Sequence, residues 1–191
     1  MLTAVNSAGR RCVLGPVTWR GCAGLVSQPQ LSLASANLIA NEAVATAKRH
    51  CFNPVTVTVV DPSGQVLATQ RMDGCPSGAL PKYAYAKACT AVSMGMSSRA
   101  MREKYTPSGM KPQDFSKLAQ LSSMVEITGG LIAPFPGGVV LRNKEGIIVG
   151  GVGISGASAD EDEYCALCGA EALGGLVQTD PATHSCSTLK K

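Results

Sequence analysis

The chain has 191 residues, enough to bury one sizeable core. Apolar residues make up 45% and charged residues 16%, which excludes disorder over most of the length, while 4% aromatics leave little material for base-stacking platforms. The net charge of +4 is not gathered on one basic face, which argues against nucleic-acid binding, and no run approaches the roughly 20 apolar residues of a membrane helix.

Residues 1–30 read as a basic extension. Arg10, Arg11 and Arg20 occur there among several Ser and Thr and without an acid. That composition suits an organellar transit peptide and equally a docking arm. A cytoplasmic location is expected, with an organellar matrix as the alternative if this segment is a transit peptide. The eight cysteines are Cys12, Cys22, Cys51, Cys75, Cys89, Cys165, Cys168 and Cys186. Several sit inside apolar helical patterns, where cysteine behaves as a small hydrophobe, so a reducing compartment is expected.

From Leu33 to His50, Leu33, Ala36, Ala40, Ala43 and Ala47 recur at helical spacing. The small alanines allow close packing on a sheet, and the helix is expected to stop before Pro54. Val55–Val60 is a β-branched strand, Asp61-Pro-Ser-Gly64 a turn, and Val66–Gln70 the return strand. After a loop over 72–81, Tyr83–Met94 reads as a second, Ala-rich helix. Shorter helices are expected over Ser97–Lys104 and Gln113–Leu121, with Pro112 at a first-turn position. A short strand is expected near Leu131. Val139–Arg142 and Ile147–Ile154 form a second hairpin across Asn143-Lys-Glu-Gly146. Ser158 with Glu161 three residues on marks the capping box of a final helix, which ends around Gly174-Gly175. The order predicts an α+β fold, an antiparallel sheet of about five strands with helices on both faces. The domain is expected over 31–176, with 177–191 as a tail.

Gly151-Val-Gly-Ile-Ser-Gly156 satisfies a dinucleotide-binding pattern, but too little chain follows to complete a βαβ unit. The helix behind it opens on Asp160, Glu161, Asp162 and Glu163, which would repel a pyrophosphate. Close backbone passage is the better account of these glycines. Cys165-Ala-Leu-Cys168 lacks the second pair that zinc requires, and reads as two buried small residues. His50 and His184 are the only histidines. His50 suits the end of the first helix, and no Ser or Cys triad is easily built around either. Lys87, Thr90 and Ser93 share one helix face, a solvated stripe or the wall of a ligand groove.

Val59-Val-Asp-Pro-Ser-Gly-Gln-Val-Leu-Ala68, Arg71-Met-Asp-Gly74, Lys87-Ala-Cys-Thr-Ala91 and Pro136-Gly-Gly-Val-Val-Leu-Arg142 then occur in order. They are followed by Gly150-Gly-Val-Gly-Ile-Ser-Gly156, Asp160-Glu-Asp-Glu163 and Gly169-Ala-Glu-Ala-Leu173. Together these segments resemble the GlcG/HbpS family, the haem-degrading DUF336 group. The resemblance implies a profilin-like fold, an oligomer, and haem or another tetrapyrrole such as a corrinoid as cofactor. It places the site beside the second helix: Thr90 would approach the iron, Lys82 or Lys87 would pair with propionates, and Met94 and Met96 would line an apolar wall. The sequence departs from ordinary haem proteins in one respect. His50 is the only histidine in the family-like region, so the commonest iron ligand is missing from this core.

A non-catalytic tetrapyrrole-binding module is therefore the leading expectation. Two others stand beside it: a structural subunit that docks on a larger assembly through residues 1–30 and the tail, and a small-molecule enzyme of unknown reaction. No catalytic residue and no metal site is assigned. A homo-oligomer is expected in each case, because sparse charge leaves apolar surface to cover.

Overall fold

A computed structural model describes residues 27–180. Five antiparallel strands, Val66–Arg71, Thr56–Val60, Ile148–Ser155, Gly138–Arg142 and Gln178–Asp180 in their order across it, form one sheet with helices on both faces, as the sequence predicts.

Helix α1, Leu33–Arg49, begins where the Ser32 hydroxyl accepts the Ser35 N–H at 3.1 Å, a side-chain N-cap. Its buried stripe is Ala36, Ile39, Ala40, Ala43 and Ala47. Gly169 on helix α5, Ala159–Glu171, meets that stripe, and a Cβ there would lie 2.7 Å from the Ile39 carbonyl. Small residues on both sides let the two helices cross backbone to backbone.

Strands β1, Thr56–Val60, and β2, Val66–Arg71, form the first hairpin. Asp61 ties the turn by accepting the N–H groups of Ser63 at 2.8 Å and Gln65 at 2.9 Å. Strands β3, Gly138–Arg142, and β4, Ile148–Ser155, form the second, and β4 pairs with β1 at the centre of the sheet. Alternation then divides the faces. Val57, Val59, Val152 and Ile154 join α1 and α5 in the main core. Gly151, Gly153 and Val60 turn to the other face, against helix α2, Leu80–Met94. A Cβ on Gly153 would overlap the Ala84 carbonyl, so α2 lies closer to the sheet than any larger residue permits. The glycine pattern serves close passage, as its context suggests.

Three elements differ from expectation. Helix α2 starts at Leu80 because Pro81 occupies a first-turn position, where its missing N–H costs nothing. Lys82 thus stands in the first turn instead of before the helix. Helix α3, Ser98–Tyr105, is close to prediction, but α4, Phe115–Ile127, runs six residues beyond Leu121 and follows a 3-10 turn at Pro112–Asp114. Finally, no strand forms near Leu131, where the backbone is irregular: the Leu131 N–H donates to the Thr128 carbonyl and the Ala133 N–H to the Thr90 hydroxyl instead of to a ladder. The fifth strand is β5, Gln178–Asp180, on the edge beside β3 and inside the segment expected to be tail.

Among the described residues, no helix is long and apolar enough to cross a membrane.

Candidate functional site

Helices α3 and α4 lie over a small satellite core of Met101, Leu121 and Ile132, with Met94, Met96, Met124 and Val125 packed against it. This layer stands off the first half of α2 and leaves a groove of about 810 Å³. Lys82, Tyr83, Tyr85 and Ala86 line it from α2; Leu118, Leu121, Ser122 and Val125 line it from α4. The segment from Gly129 to Phe135 closes the third side. The lining is apolar apart from Lys82, Ser122 and the two tyrosine hydroxyls, and its volume lies in the range of small-molecule sites. Tyr83 and Phe135 are both more than half exposed in it, at 51% and 58%.

Of the side chains expected at a ligand, Lys82 alone reaches this groove. The structure gives the others internal duties. Lys87 is 5% exposed; its ammonium donates to the Ile154 carbonyl at 2.7 Å and to the Asp162 carboxylate at 2.8 Å. Thr90 is fully buried. Its hydroxyl donates to the Ala86 carbonyl at 2.7 Å and accepts the Ala133 N–H at 2.7 Å. It therefore pins the irregular wall of the groove from behind. Met94 and Met96 pack into the satellite core. The shared face of Lys87, Thr90 and Ser93 is neither a solvated stripe nor a groove wall at its first two positions, since both are buried.

The acids that open α5 are likewise accounted for. Glu161 closes the capping box with Ser158, and Asp162 accepts the Ala157 N–H at 3.0 Å as well as Lys87. Arg99 reaches from α3 to Asp160 and, at 2.7 Å, to Glu163. Burial pushes the Asp162 carboxyl up to about 6, against the opposing pull of Lys87.

The remaining reactive groups, Tyr85 apart, lie away from the groove. Cys165 is fully buried in the main core and Cys168 half-buried; desolvation raises both thiols, the behaviour of inert structural cysteines. Cys89 is also buried, and desolvation raises its thiol. The nearby Cys89 thiol, and after it burial, raises the Tyr85 phenol, whose hydroxyl donates to the Gly64 carbonyl at 3.2 Å. His50 caps α1, and its ring stacks on Phe52 with centroids 5.3 Å apart and meets Tyr164 edge-on. His184 lies outside the described residues. A second cleft of about 240 Å³, between Lys48, Arg71 and Asp73, is polar and shallow, and the Arg71 guanidinium already donates to the Cys75 carbonyl. Among the described residues, no three His, Cys, Asp or Glu side chains converge as a metal site.

Sequence reading missed the wall contributed by α4 and by 129–135. The signal was present as exposed large apolar residues, Leu118, Leu131 and Phe135, in a segment divided there between a short helix and a supposed strand.

Residues 31–171 match the sequence pattern of the haem-degrading, HbpS-like protein family. Among solved structures, a double mutant of Streptomyces reticuli HbpS is 33% identical, with a TM-score of 0.66 over 84% of this chain and 97% of that one. Another HbpS crystal structure is 30% identical with a TM-score of 0.65, covering 81% of this chain and 97% of its own. A PduOC:heme complex is 28% identical with a TM-score of 0.65, covering 79% of this chain and 99% of its own. No curated protein sequence matches the chain. The ordered motifs, the sheet with its two helical faces and these matches agree: the chain belongs to the HbpS-like family of haem-degrading proteins.

Proposed function

We propose that this chain is a tetrapyrrole-binding module that seats haem, or a corrinoid of similar shape, in the groove between α2 and α4. The observation that carries the reading is the groove itself, about 810 Å³, apolar on three sides and supplied with one cation, Lys82. A flat macrocycle with apolar faces and peripheral carboxylates suits such a slot. Its ring would lie against Leu118, Val125, Leu131 and Phe135, and a carboxylate would meet the Lys82 ammonium as a point charge. The haem carried by the similar PduOC domain supports the choice of ligand.

Among the described residues the lining offers Lys82 and two tyrosines but no carboxylate and no imidazole, which favours holding a ligand over acid–base turnover of one. Binding is accordingly preferred to catalysis. A bound haem brings its own iron chemistry, and this chain's share is to hold and orient it and to exclude water from one face. Phe115 and Ile127 on α4, 60% and 84% exposed, support self-association of the module.

The test is a hemin titration of the full chain followed by the Soret band. One equivalent is expected to saturate the protein, and Lys82→Ala to weaken binding by about threefold to tenfold, as expected for one partly exposed ion pair. Non-saturating absorption in the wild type would contradict the reading.

A further inference from the structure

We propose that Tyr83 is the protein ligand to the iron of a ferric haem seated in this groove. The inference rests on the tetrapyrrole reading above and adds to it the atom that holds the metal.

Haem iron takes His, Cys, Met or Tyr from proteins. The described histidine, His50, stacks on Phe52 and meets Tyr164 edge-on in the layer of α1 and α5, across the sheet from α2. Cys89 faces the Gly64 carbonyl and Cys165 is in the main core. Met94, Met96, Met101 and Met124 are packed into the satellite core. Thr90 has no exposed surface and both its hydroxyl functions are engaged. Of the groove's own polar groups, the Lys82 ammonium carries no lone pair, and Ser122 is a weakly acidic alcohol. The Tyr85 hydroxyl is committed to the Gly64 carbonyl.

Tyr83 remains. It lines the groove on the first turns of α2 and is 51% exposed, and its hydroxyl is bonded to no described residue. The ligation step balances simply. The phenol O–H bond breaks, its proton goes to solvent, and an Fe–O bond forms as the water or chloride on ferric hemin departs. Iron stays ferric throughout, so no oxidant or reductant is needed. Because a proton is released, hemin affinity rises with pH where metal-free porphyrin affinity does not.

The experiment compares the full-length wild type with Tyr83→Phe, using hemin and metal-free protoporphyrin IX as separate probes. Absorbance and electron paramagnetic resonance read the iron; porphyrin fluorescence reads binding without it. The wild type is expected to show a high-spin ferric haem with a phenolate-to-iron charge-transfer band. Tyr83→Phe keeps the ring and so the packing, which circular dichroism confirms; it is expected to lose that band and about tenfold or more of hemin affinity. Protoporphyrin IX binding is expected to change less than about twofold, since only the ligating oxygen is gone. An unchanged spectrum in Tyr83→Phe would overturn the proposal while leaving the groove in place. So would a spectrum that collapses in His184→Ala or Cys186→Ala instead. If neither probe saturates the wild type, the binding reading fails and the ligand assignment falls with it.

Discussion

The Lys87 ammonium and the Asp162 carboxylate, 2.8 Å apart and both almost fully buried, join the helix on one face of the sheet to the helix on the other. They meet at the last residues of β4, where the Ile154 carbonyl takes another ammonium proton. The passage exists because Gly137 and Gly138 stand beside it: a Cβ on Gly137 would come within 3.0 Å of the Lys87 ammonium and 2.9 Å of the Asp162 side chain. A lysine that reads as a ligand contact is thus a rivet through the fold.

Removing either partner alone strands a buried charge. Lys87→Met and Asp162→Leu are each expected to cost about 3–5 kcal/mol. The double substitution is expected to lose far less than the sum, because it leaves nothing charged behind. Urea unfolding of the three variants measures the coupling; additive losses would show that the pair does not act as a unit.

The same carboxyl sets a pH dependence. Burial holds Asp162 near 6, so the folded chain binds its proton more tightly than the unfolded chain does. Below pH ~4 both states are protonated and the group is neutral to stability. Between ~4 and 6 only the folded state keeps the proton, so the contribution of Asp162 falls as pH rises and levels off above that window. Relative to Asp162→Asn, the wild type is expected to lose stability across the window with a slope of up to about 1.4 kcal/mol per pH unit. A slope of opposite sign would mean that Lys87 outweighs burial.

Thr90 is expected to act on the groove through its wall. Thr90→Val keeps the shape but leaves the Ala133 N–H without its partner, at a cost of about 1–3 kcal/mol. Hydrogen exchange at Ala133 is expected to quicken, and hemin affinity to fall without a change in the iron's ligand signature. A changed signature would move Thr90 from behind the wall to the iron itself.

Gly153→Ala tests the close passage of α2. The added methyl would meet the Ala84 carbonyl and the Ala88 N–H, which are backbone and can yield only if the helix moves. A loss of about 3 kcal/mol or more in chemical denaturation, or failure to fold, is expected. A variant as stable as the wild type would remove that reason for the glycine pattern.

Leu31 and β5 test where the domain ends. The Leu31 N–H donates to the Val149 carbonyl at 2.9 Å and its side chain fills the notch over Gly150. The Asp180 carboxylate accepts the Ser97 N–H at 3.4 Å, beside the pairing of β5 with β3. A chain cut to 31–180 is expected to melt within a few degrees of the full chain. One cut to 31–176 exposes the edge of β3 and is expected to melt lower, by roughly 2–4 °C for each kcal/mol lost in a domain near this size. Equal melting of the two would return Gln178–Asp180 to the tail.

These relationships show where sequence reading reaches its limit. The capping box at Ser158 and Glu161 and the turn at Asp61 were legible because both partners lie within a few residues. Strand β5 was not, since Gln-Thr-Asp carries no apolar alternation and forms only because β3 offers an edge. Lys87 in an Ala-rich helix looked solvated because its partner lies 75 residues away through a gap that two glycines open. The groove was half legible: Lys82 was named for it, while the wall from α4 was missed although Gly129 and Gly130 mark the end of that helix, both at positive φ and donating to the Glu126 and Val125 carbonyls.

The most direct test of the binding account is to fill the groove from its exposed side. Ser122 lines it from α4 and is solvent-exposed, so Ser122→Trp adds bulk to the slot without disturbing a core. Hemin titrations of wild type and variant, with melting temperatures as the folding control, are expected to show one saturating equivalent in the wild type and none in Ser122→Trp. A stably folded Ser122→Trp that binds hemin as tightly as the wild type would place the ligand elsewhere and contradict the account.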